Sequence, residues 1–253
     1  MAYLELFVVP WGLYPRRILI YLHEKGLHAS PLIKITSVSI SSSLEMTAPG
    51  KPEGTVPILV LPDGSSIKQS IAILEYLEDI CSNPQSDWQE EIAAIANWSM
   101  VGEDSQERAI TREILALADE VTILFELACR KGSNILTSIA IEPSSATAAS
   151  MSMDLVKRKL KLIEPFYADL NIVQSYHPGW IETDFPVTIA DCVLFSLLQF
   201  SKELYGRHLV EEEAGLPYLI AFYDSFKERD SAKIPGGFYP KEIKDLACVW
   251  LEQ

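Results

Sequence analysis

Residues 54–61 and the Gln69-Ser70 pair that follows them have the residue types of a peptide-binding site. Pro57 stands at the start of a predicted strand, because a proline inside a strand would lose a ladder hydrogen bond. A strand edge at this point can offer main-chain N–H and C=O groups to a bound peptide. Ser70 stands at the start of a predicted helix, where a hydroxyl and unpaired N–H groups can bind a carboxylate. The alternatives are an ordinary strand-starting proline and a plain helix cap.

The elements that would position this site alternate between strands and helices over the first eighty residues. We predict four strands and two helices, which give an α/β fold with a mixed sheet. The predicted strands cover 4–9, 32–35, 56–61 and 65–68, and the last two form a hairpin across a Pro-Asp-Gly turn. The first helix opens at Pro15 and closes at Gly26, and Ser70 caps the second helix. Residues 36–53 are rich in Ser, Pro and Gly, which predicts a loop with at most a short helix.

The chain beyond residue 86 has no strand alternation, so we predict an all-α second domain. The predicted division is a first domain at 1–81, a polar linker at 82–86 and the helical domain at 87–253. Residues 190–200 are apolar on almost all sides, which predicts a buried central helix. Thr188 and Asp191 have the spacing of a capping box at its start, a structural role.

Two longer helices of the second domain follow from apolar residues at intervals of three and four. Their predicted core stripes lie within 110–128 and 155–170. The first stripe consists of Ile110, Ile114, Leu117, Val121, Leu124 and Ala128. Residues 133–150, between the two helices, are rich in Ser, Ala and Thr, which predicts a mobile crossover.

Composition and charge exclude several functional classes. The formal net charge of −14 over 253 residues disfavours nucleic acid and anionic membranes as partners. The N-terminus has no secretory signal, and no apolar run reaches the roughly 18–20 residues needed to span a bilayer. The four cysteines show no metal-ligand spacing, which predicts free thiols buried in packing and a reducing, cytoplasmic setting. We therefore expect no metal site.

Three short motifs in this order and spacing resemble the cytosolic glutathione transferase family of fungal and bacterial type. They are TVPIL at 55–59, QSIAILEYL at 69–77 and TIAD at 188–191. The resemblance covers nearly the full chain. It implies a thioredoxin-like N-terminal domain with a mixed four-stranded sheet, an all-α C-terminal domain and a homodimer.

The resemblance also implies how glutathione would be held. It implies a cis bond between Val56 and Pro57, which turns the Val56 main chain outward to pair with the cysteinyl residue of the tripeptide. It implies that Ser70 binds the γ-glutamyl carboxylate, with Gln69 assisting.

Basic residues near this edge are candidates for the glycine carboxylate of the tripeptide. They are Lys51, Lys68 and either Arg16 or Arg17. The alternative is that each is a solvated surface base.

The loop after the first strand departs from the family pattern. A family member needs a donor that stabilises the thiolate, because an unperturbed thiol has a pKa near 8.5. The usual Ser or Cys position falls at Gly12 or Leu13, and the usual Tyr position falls near Val8, so none of these side chains can donate. Three interpretations stay open: Tyr14 donates; the main chain of Gly12 and Leu13, the helix dipole and Arg17 act together; or the thiol is not ionised.

The second substrate would lie between the domains, where apolar pockets are common. The candidate pocket residues are Trp11, Leu13, Trp98 and Arg108. Local packing is the alternative for Trp11, and plain core is the alternative for Trp98.

The predicted function is a glutathione transferase-like enzyme. It would conjugate glutathione to, or use glutathione to isomerise, a small apolar electrophilic metabolite. One alternative is a glutathione-independent isomerase or cyclase of a biosynthetic pathway in secondary metabolism. A second is a non-catalytic binding or assembly module on the same scaffold.

Overall fold

The computed structural model describes residues 4–41, 45–137, 143–176 and 186–251. Contacts within the chain divide it into two compact units. The first holds the described residues up to Arg108 together with Pro186–Cys192, and the second holds the other described residues. The domain boundary at 82–86 stays a prediction.

The first unit is built on a mixed four-stranded sheet. Its elements are β1 (Leu4–Val8), α1 (Leu13–Glu24), β2 (Ile33–Ser37), β3 (Ser39–Ile40), β4 (Met46–Thr47), β5 (Ile58–Val60), β6 (Ser66–Ile67), α2 (Ser70–Ser82) and α3 (Asp87–Ile95). The sheet order is β2-β1-β5-β6, with β1 and β2 parallel and the other pairs antiparallel. This arrangement confirms the predicted α/β pattern and the predicted hairpin of β5 and β6.

The core of this unit follows from the position of β1 between two other strands. Leu6 pairs with Leu59 and Phe7 with Ile58 in the β1–β5 ladder, and all four side chains are buried. A strand that is covered on both faces needs apolar residues in succession, as β1 has from Leu6 to Val8. The α1 and α2 helices bury Ile18, Ile20, Leu22, Ile73, Leu74 and Leu77.

Three predictions for this unit were wrong, besides strand ends that differ by one or two residues. Helix α1 begins at Leu13 rather than Pro15, which is tolerated because the first turn of a helix needs no N–H donor. Gln69 rather than Ser70 is the cap residue of α2. Residues 36–53 contain the β3–β4 hairpin, whose two-residue strands are too short for an alternating pattern to reveal.

The described part of the second unit is helical apart from an isolated bridge between Ser133 and Trp250, which confirms the predicted helical character. The helices from residue 105 onward are α4 (Ser105–Gly132), α5 (Asn134–Thr137), α6 (Ala146–Tyr176), α7 (Ile189–Tyr205), α8 (Pro217–Phe226) and α9 (Lys241–Ala247). The predicted crossover at 133–150 is therefore partly helical, and its residues 138–142 lie outside the described residues.

The predicted stripe on α4 lies partly on the wrong face. Ile110 is 39% exposed, whereas Leu115, Phe125 and the polar Thr122 are buried. Thr122 enters the core because its hydroxyl donates to the Ala118 carbonyl at 2.9 Å, which satisfies the polar group. An apolar stripe that omits threonine is therefore displaced around the helix.

The predicted capping box at the start of α7 is confirmed. The Asp191 N–H donates to Thr188 Oγ1 at 3.3 Å, and the Thr188 N–H donates to Asp191 Oδ2 at 2.8 Å. The apolar residues of α7 that follow are buried, as predicted. No helix in the described ranges has the length and apolar character that crossing a membrane requires.

The four cysteines are free, but they differ in exposure. Cys129 and Cys192 are buried, Cys81 is half-buried and Cys248 is exposed, so the prediction of uniform burial was wrong. The error at Cys248 arises because it is the cap residue after the short helix α9, and its side chain reaches solvent.

We expect iodoacetamide to modify Cys248 first and Cys81 much more slowly near neutral pH. Burial raises the pKa of the Cys81 thiol to about 11, so the reactive thiolate is scarce until the pH approaches that value. Peptide mass spectrometry after timed alkylation at several pH values measures both rates, and Cys248→Ser removes the fast site. Equal rates at Cys81 and Cys248 near neutral pH would contradict this expectation.

Candidate functional site

The Val56–Pro57 edge has main-chain groups that the protein leaves unused. The Val56–Pro57 peptide bond is cis, which confirms what the resemblance implied. The Val56 side chain packs in a core cluster with Phe7, Val9, Val38 and Ile58. Within the described part of the chain, neither the N–H nor the C=O of Val56 has a hydrogen-bond partner. The edge therefore presents one donor and one acceptor to a ligand.

Ser70 follows the hairpin that this edge opens. The β5–β6 ladder pairs Leu59 with Ile67 and Val60 with Ser66, and α2 begins at Ser70, three residues after Ile67. The first helical hydrogen bond of α2 runs from the Ile73 N–H to the Gln69 carbonyl at 2.9 Å. The N–H groups of residues 70–72 consequently have no acceptor within the helix, and they favour an anion.

The buried side chain of Arg17 contacts Ser70. Its side chain is fully buried, and its Nη1 donates to Ser70 Oγ at 3.2 Å. Its Cζ lies 4.8 Å from the centroid of the Tyr14 ring. The structure therefore brings Tyr14, Arg17 and Ser70 together, and it links Arg17 to the predicted γ-glutamyl subsite.

Two lysines bind the loop that leads into Val56. Lys51 Nζ donates to the carbonyls of Pro52 and Gly54 at 3.0 and 2.6 Å, and Lys68 Nζ donates to the Glu53 carbonyl at 2.9 Å. Both ammonium groups lie beside the edge, as candidates for binding a carboxylate must. Gln69 is exposed next to Ser70.

The loop before α1 narrows the set of thiolate donors. The Gly12 N–H is already engaged, since it donates to the Val9 carbonyl at 2.9 Å. The Leu13 N–H begins the helix and has no acceptor among the described residues. The Leu13 side chain is buried, and Trp11 packs against the core cluster that contains Val56. Leu13 is therefore the main-chain candidate that the structure leaves available.

Trp98 and Arg108 are exposed, whereas Trp11 is half-buried and Leu13 is buried. Trp98 is 44% exposed, which rules out the plain-core alternative, and its carbonyl accepts from Lys25 Nζ at 2.7 Å. Arg108 is exposed and donates to the Glu103 carbonyl at 2.8 Å. Among the described residues no hydrogen bond or ring contact joins Trp98 or Arg108 to the Trp11 loop. Their assignment to one pocket stays a prediction.

A buried charged cluster behind the site was missed by sequence reasoning. Lys25 Nζ lies 2.8 Å from Glu78 Oε1, and both side chains are almost fully buried. The Tyr21 hydroxyl donates to the same Oε1 at 2.8 Å, and the Met100 N–H donates to Glu78 Oε2 at 3.0 Å. Burial and the Glu78 carboxylate raise the pKa of Tyr21 well above its usual value.

One pattern in the sequence signals this cluster. Glu78 falls four residues after Leu74, on the apolar face of α2, where a carboxylate requires a buried partner. In the described residues no group of three or more His, Cys, Asp or Glu side chains is arranged to hold a metal ion.

Comparison with known proteins finds a matching N-terminal domain and one similar curated protein. Residues 11–80 match the family model for the glutathione S-transferase N-terminal domain. A Zea mays protein named "Probable glutathione S-transferase BZ2" is 24% identical over 180 residues, which cover 71% of this chain and 68% of that protein.

Solved structures confirm the fold. One is a glutathione transferase family member from Pseudomonas fluorescens Pf-5 with bound glutathione. It superposes with a TM-score of 0.63 at 20% identity, and the superposition covers 90% of this chain and 96% of the Pseudomonas chain. Gtt2 from Saccharomyces cerevisiae has a TM-score of 0.61 at 20% identity. Its superposition covers 90% of this chain and 98% of Gtt2. The thioredoxin-like N-terminal fold with a helical C-terminal region is thus confirmed. The chain thus matches the glutathione S-transferase N-terminal domain over residues 11–80 and shares its overall fold with solved glutathione transferases.

Proposed function

We propose that this protein binds glutathione along the Val56 edge and transfers it to, or uses it to isomerise, a small apolar electrophile. The observation that carries the proposal is the main chain of Val56, which has no hydrogen-bond partner among the described residues, in the same unit as Ser70 and the unpaired N–H groups of the first turn of α2. The structural relative from Pseudomonas fluorescens holds glutathione, which supports the same ligand class here.

Each part of the tripeptide has a chemically matched partner at this edge. The cysteinyl main chain pairs with the N–H and C=O of Val56 as an added strand. The γ-glutamyl carboxylate binds the unpaired N–H groups at the start of α2 and the hydroxyl of Ser70. The ammonium groups of Lys51 and Lys68 attract the glycine carboxylate, and Gln69 gives a further polar contact.

Transfer requires the thiol to ionise before it attacks. Only a few per cent of a thiol with a pKa near 8.5 is thiolate at pH 7. The start of α1 supplies the Leu13 N–H and the positive end of the helix dipole, and Tyr14 supplies the loop's hydroxyl. The thiolate sulfur then forms the bond to the electrophilic carbon, and the carbon releases its leaving group with the bonding pair or, in an addition, passes a π pair to the conjugated acceptor, which takes up a proton from water. Trp11, which is partly buried, offers apolar surface on that side.

We expect Ser70→Ala to weaken glutathione binding by about tenfold or more, because a hydrogen bond to a carboxylate contributes roughly 1.5–3 kcal/mol. Isothermal titration calorimetry with glutathione measures the loss. Ser65→Ala is the matched control, since Ser65 is an exposed serine in the turn of the same hairpin. Unchanged affinity in Ser70→Ala, or no binding by the unmodified protein, would refute the proposed site.

A second candidate function is glutathione binding without transfer. The observation that favours it is Gly12, which offers no side-chain donor and whose N–H is already engaged. Turnover of 1-chloro-2,4-dinitrobenzene by a protein that binds glutathione supports the transferase. Binding without turnover of any model electrophile supports a binding module. Turnover of a substrate without added glutathione would indicate the isomerase or cyclase.

The assembly and location of the protein are further proposals. We propose a homodimer in the cytoplasm that binds neither nucleic acid nor membranes. Sedimentation equilibrium of the purified protein tests the dimer, and a monomer at every concentration would refute it.

A further inference from the structure

We propose that Lys51 is a positioning residue that holds the loop at residues 52–55 in the shape that presents the Val56 main chain to a ligand, an inference that rests on the proposed glutathione site. The hydrogen bonds of Lys51 go to the loop, so the glycine carboxylate receives only the screened attraction of its charge. Lys51 then acts on every ligand that pairs with Val56, whatever that ligand carries at its glycine end.

The loop has no main-chain support of its own. Among the described residues, the N–H and C=O groups of residues 52–56 make no hydrogen bond to other main-chain groups. Glu53, Gly54 and Thr55 are exposed, so solvent competes for their polar groups. The loop leads directly into Val56. A change in the shape of the loop therefore moves the Val56 N–H and C=O relative to a bound peptide.

Lysine side chains supply the support that the main chain lacks. Lys51 Nζ donates to the Pro52 carbonyl at 3.0 Å and to the Gly54 carbonyl at 2.6 Å. Lys68 Nζ donates to the Glu53 carbonyl between them at 2.9 Å. Three successive carbonyls are thus bound by ammonium groups, and two of the three Lys51 ammonium protons are used within the loop.

Gly54 gives the loop the turn that these hydrogen bonds require. Its φ is 114°, in a region that residues with a side chain rarely adopt. A Cβ at Gly54 would lie 3.7 Å from Lys68 Nζ, which is an ordinary contact, so lack of space does not exclude alanine there. Gly54→Ala therefore disturbs the loop through its backbone conformation, while every charge stays in place.

Positioning and direct contact lead to different patterns of affinity. If Lys51 holds the loop, its removal lowers the fraction of protein whose edge is ready to bind, and the affinity for every edge ligand falls by that fraction. If Lys51 binds the glycine carboxylate, only ligands with that carboxylate lose affinity. The glycine amide of glutathione lacks the charge of this carboxylate and separates the two cases.

Calorimetry with glutathione and its glycine amide on full-length variants tests the proposal. The variants are Lys51→Met, Lys51→Arg and Gly54→Ala, and the control is Lys233→Met, at an exposed lysine paired with Asp230. We expect Lys51→Met and Gly54→Ala to weaken the binding of both ligands about tenfold and to keep the ratio of the two affinities within about twofold of its value in the unmodified protein. Lys51→Arg keeps the donors and should restore most of the affinity. Lys233→Met should match the unmodified protein.

Cleavage by a glutamyl endopeptidase after Glu53 gives a reading that needs no ligand. The exposed bond between Glu53 and Gly54 lies inside the loop, and the rate of its cleavage follows the population of the opened loop. We expect this rate to rise about fivefold or more in Lys51→Met and Gly54→Ala. It should stay unchanged in Lys233→Met. Thermal melting identifies variants that unfold globally, and Gly54→Ala decides by the same comparison if Lys51→Met does not fold.

The contrary outcomes separate this proposal from the function on which it rests. An unmodified protein that binds neither ligand overturns the proposed function, and the cleavage rate after Glu53 then still decides whether Lys51 holds the loop. A loss in Lys51→Met that is confined to glutathione makes Lys51 a carboxylate ligand and overturns the positioning role. Unchanged affinities, or an unchanged cleavage rate, in Lys51→Met and Gly54→Ala overturn that role as well.

Discussion

Glu78→Gln is expected to lower the free energy of unfolding by about 3–5 kcal/mol, because it leaves a buried lysine without its counter-charge. The side chains of Lys25 and Glu78 are only 2% and 3% exposed. Both carboxylate oxygens are engaged, Oε1 with Lys25 and Tyr21 and Oε2 with the Met100 N–H. An amide at this position must turn its NH₂ group toward one of these donors.

Urea unfolding followed by circular dichroism measures the loss. The control is Glu120→Gln, which breaks the more exposed Glu120–Lys159 pair and should change the free energy by less than about 1 kcal/mol. Replacing both charges, as in Lys25→Met with Glu78→Leu, should destabilise the protein less than Glu78→Gln does. Equal losses of unfolding free energy in Glu78→Gln and Glu120→Gln would contradict this expectation, because the charge of Lys25 would then be compensated without the Glu78 carboxylate.

The same cluster connects stability to the ligand site. Tyr21 and Lys25 lie one and two turns beyond Arg17 on α1, and Glu78 lies about two turns beyond Ser70 on α2. The cluster also holds the segment at Met100, whose carbonyl accepts from the Ile189 N–H at 2.8 Å. The contacts that fix α1 against α2 therefore also fix Arg17 against Ser70.

The sheet of the first unit could be predicted because its signals are local. Alternating apolar residues, the Pro-Asp-Gly turn and Gly26 after α1 each act over a few residues, and each occurs where it was predicted. Gly26 has φ of 76°, and its N–H donates to the His23 carbonyl at 3.0 Å as the helix ends. The β3–β4 hairpin could not be predicted, because strands of two residues show no period.

The site was predictable only where one motif contains all the residues concerned. Pro57 and Ser70 follow from short motifs, and the cis bond that the resemblance implied is present. The Arg17–Ser70 bond joins residues 53 positions apart, and no local spacing specifies such a pair. Lys25 and Glu78 oppose the usual pattern, since charged side chains are rarely buried unless paired.

Gly12→Ser is expected to lower the pKa of bound glutathione by about one unit and to raise turnover at neutral pH roughly tenfold. Gly12 is the cap residue of α1, with φ of −70° and ψ of 141°, a conformation that serine adopts readily at helix caps. A cap hydroxyl accepts from helix N–H groups through its oxygen, so its own proton stays available. The hydroxyl can therefore donate to the sulfur.

The surroundings of Gly12 permit the added side chain. A Cβ at this position would lie 3.2 Å from the Val9 carbonyl oxygen and 3.3 Å from Pro15 Cδ, so its neighbours must move by a few tenths of an ångström. Gly12→Ala carries the same Cβ without the hydroxyl and is the matched control. Leu13→Ser should not activate the thiol, because the Leu13 side chain is buried in the core.

Ultraviolet difference spectra of the thiolate at several pH values, with turnover measured in parallel, give the comparison. A gain in Gly12→Ser that Gly12→Ala does not share shows that the sulfur lies near residue 12 and that the native protein has no side-chain donor at that position. Identical behaviour of the two variants would mean that the sulfur does not lie near residue 12. Tyr14→Phe then decides the question, because a loss of thiolate in that variant would make the Tyr14 hydroxyl the donor.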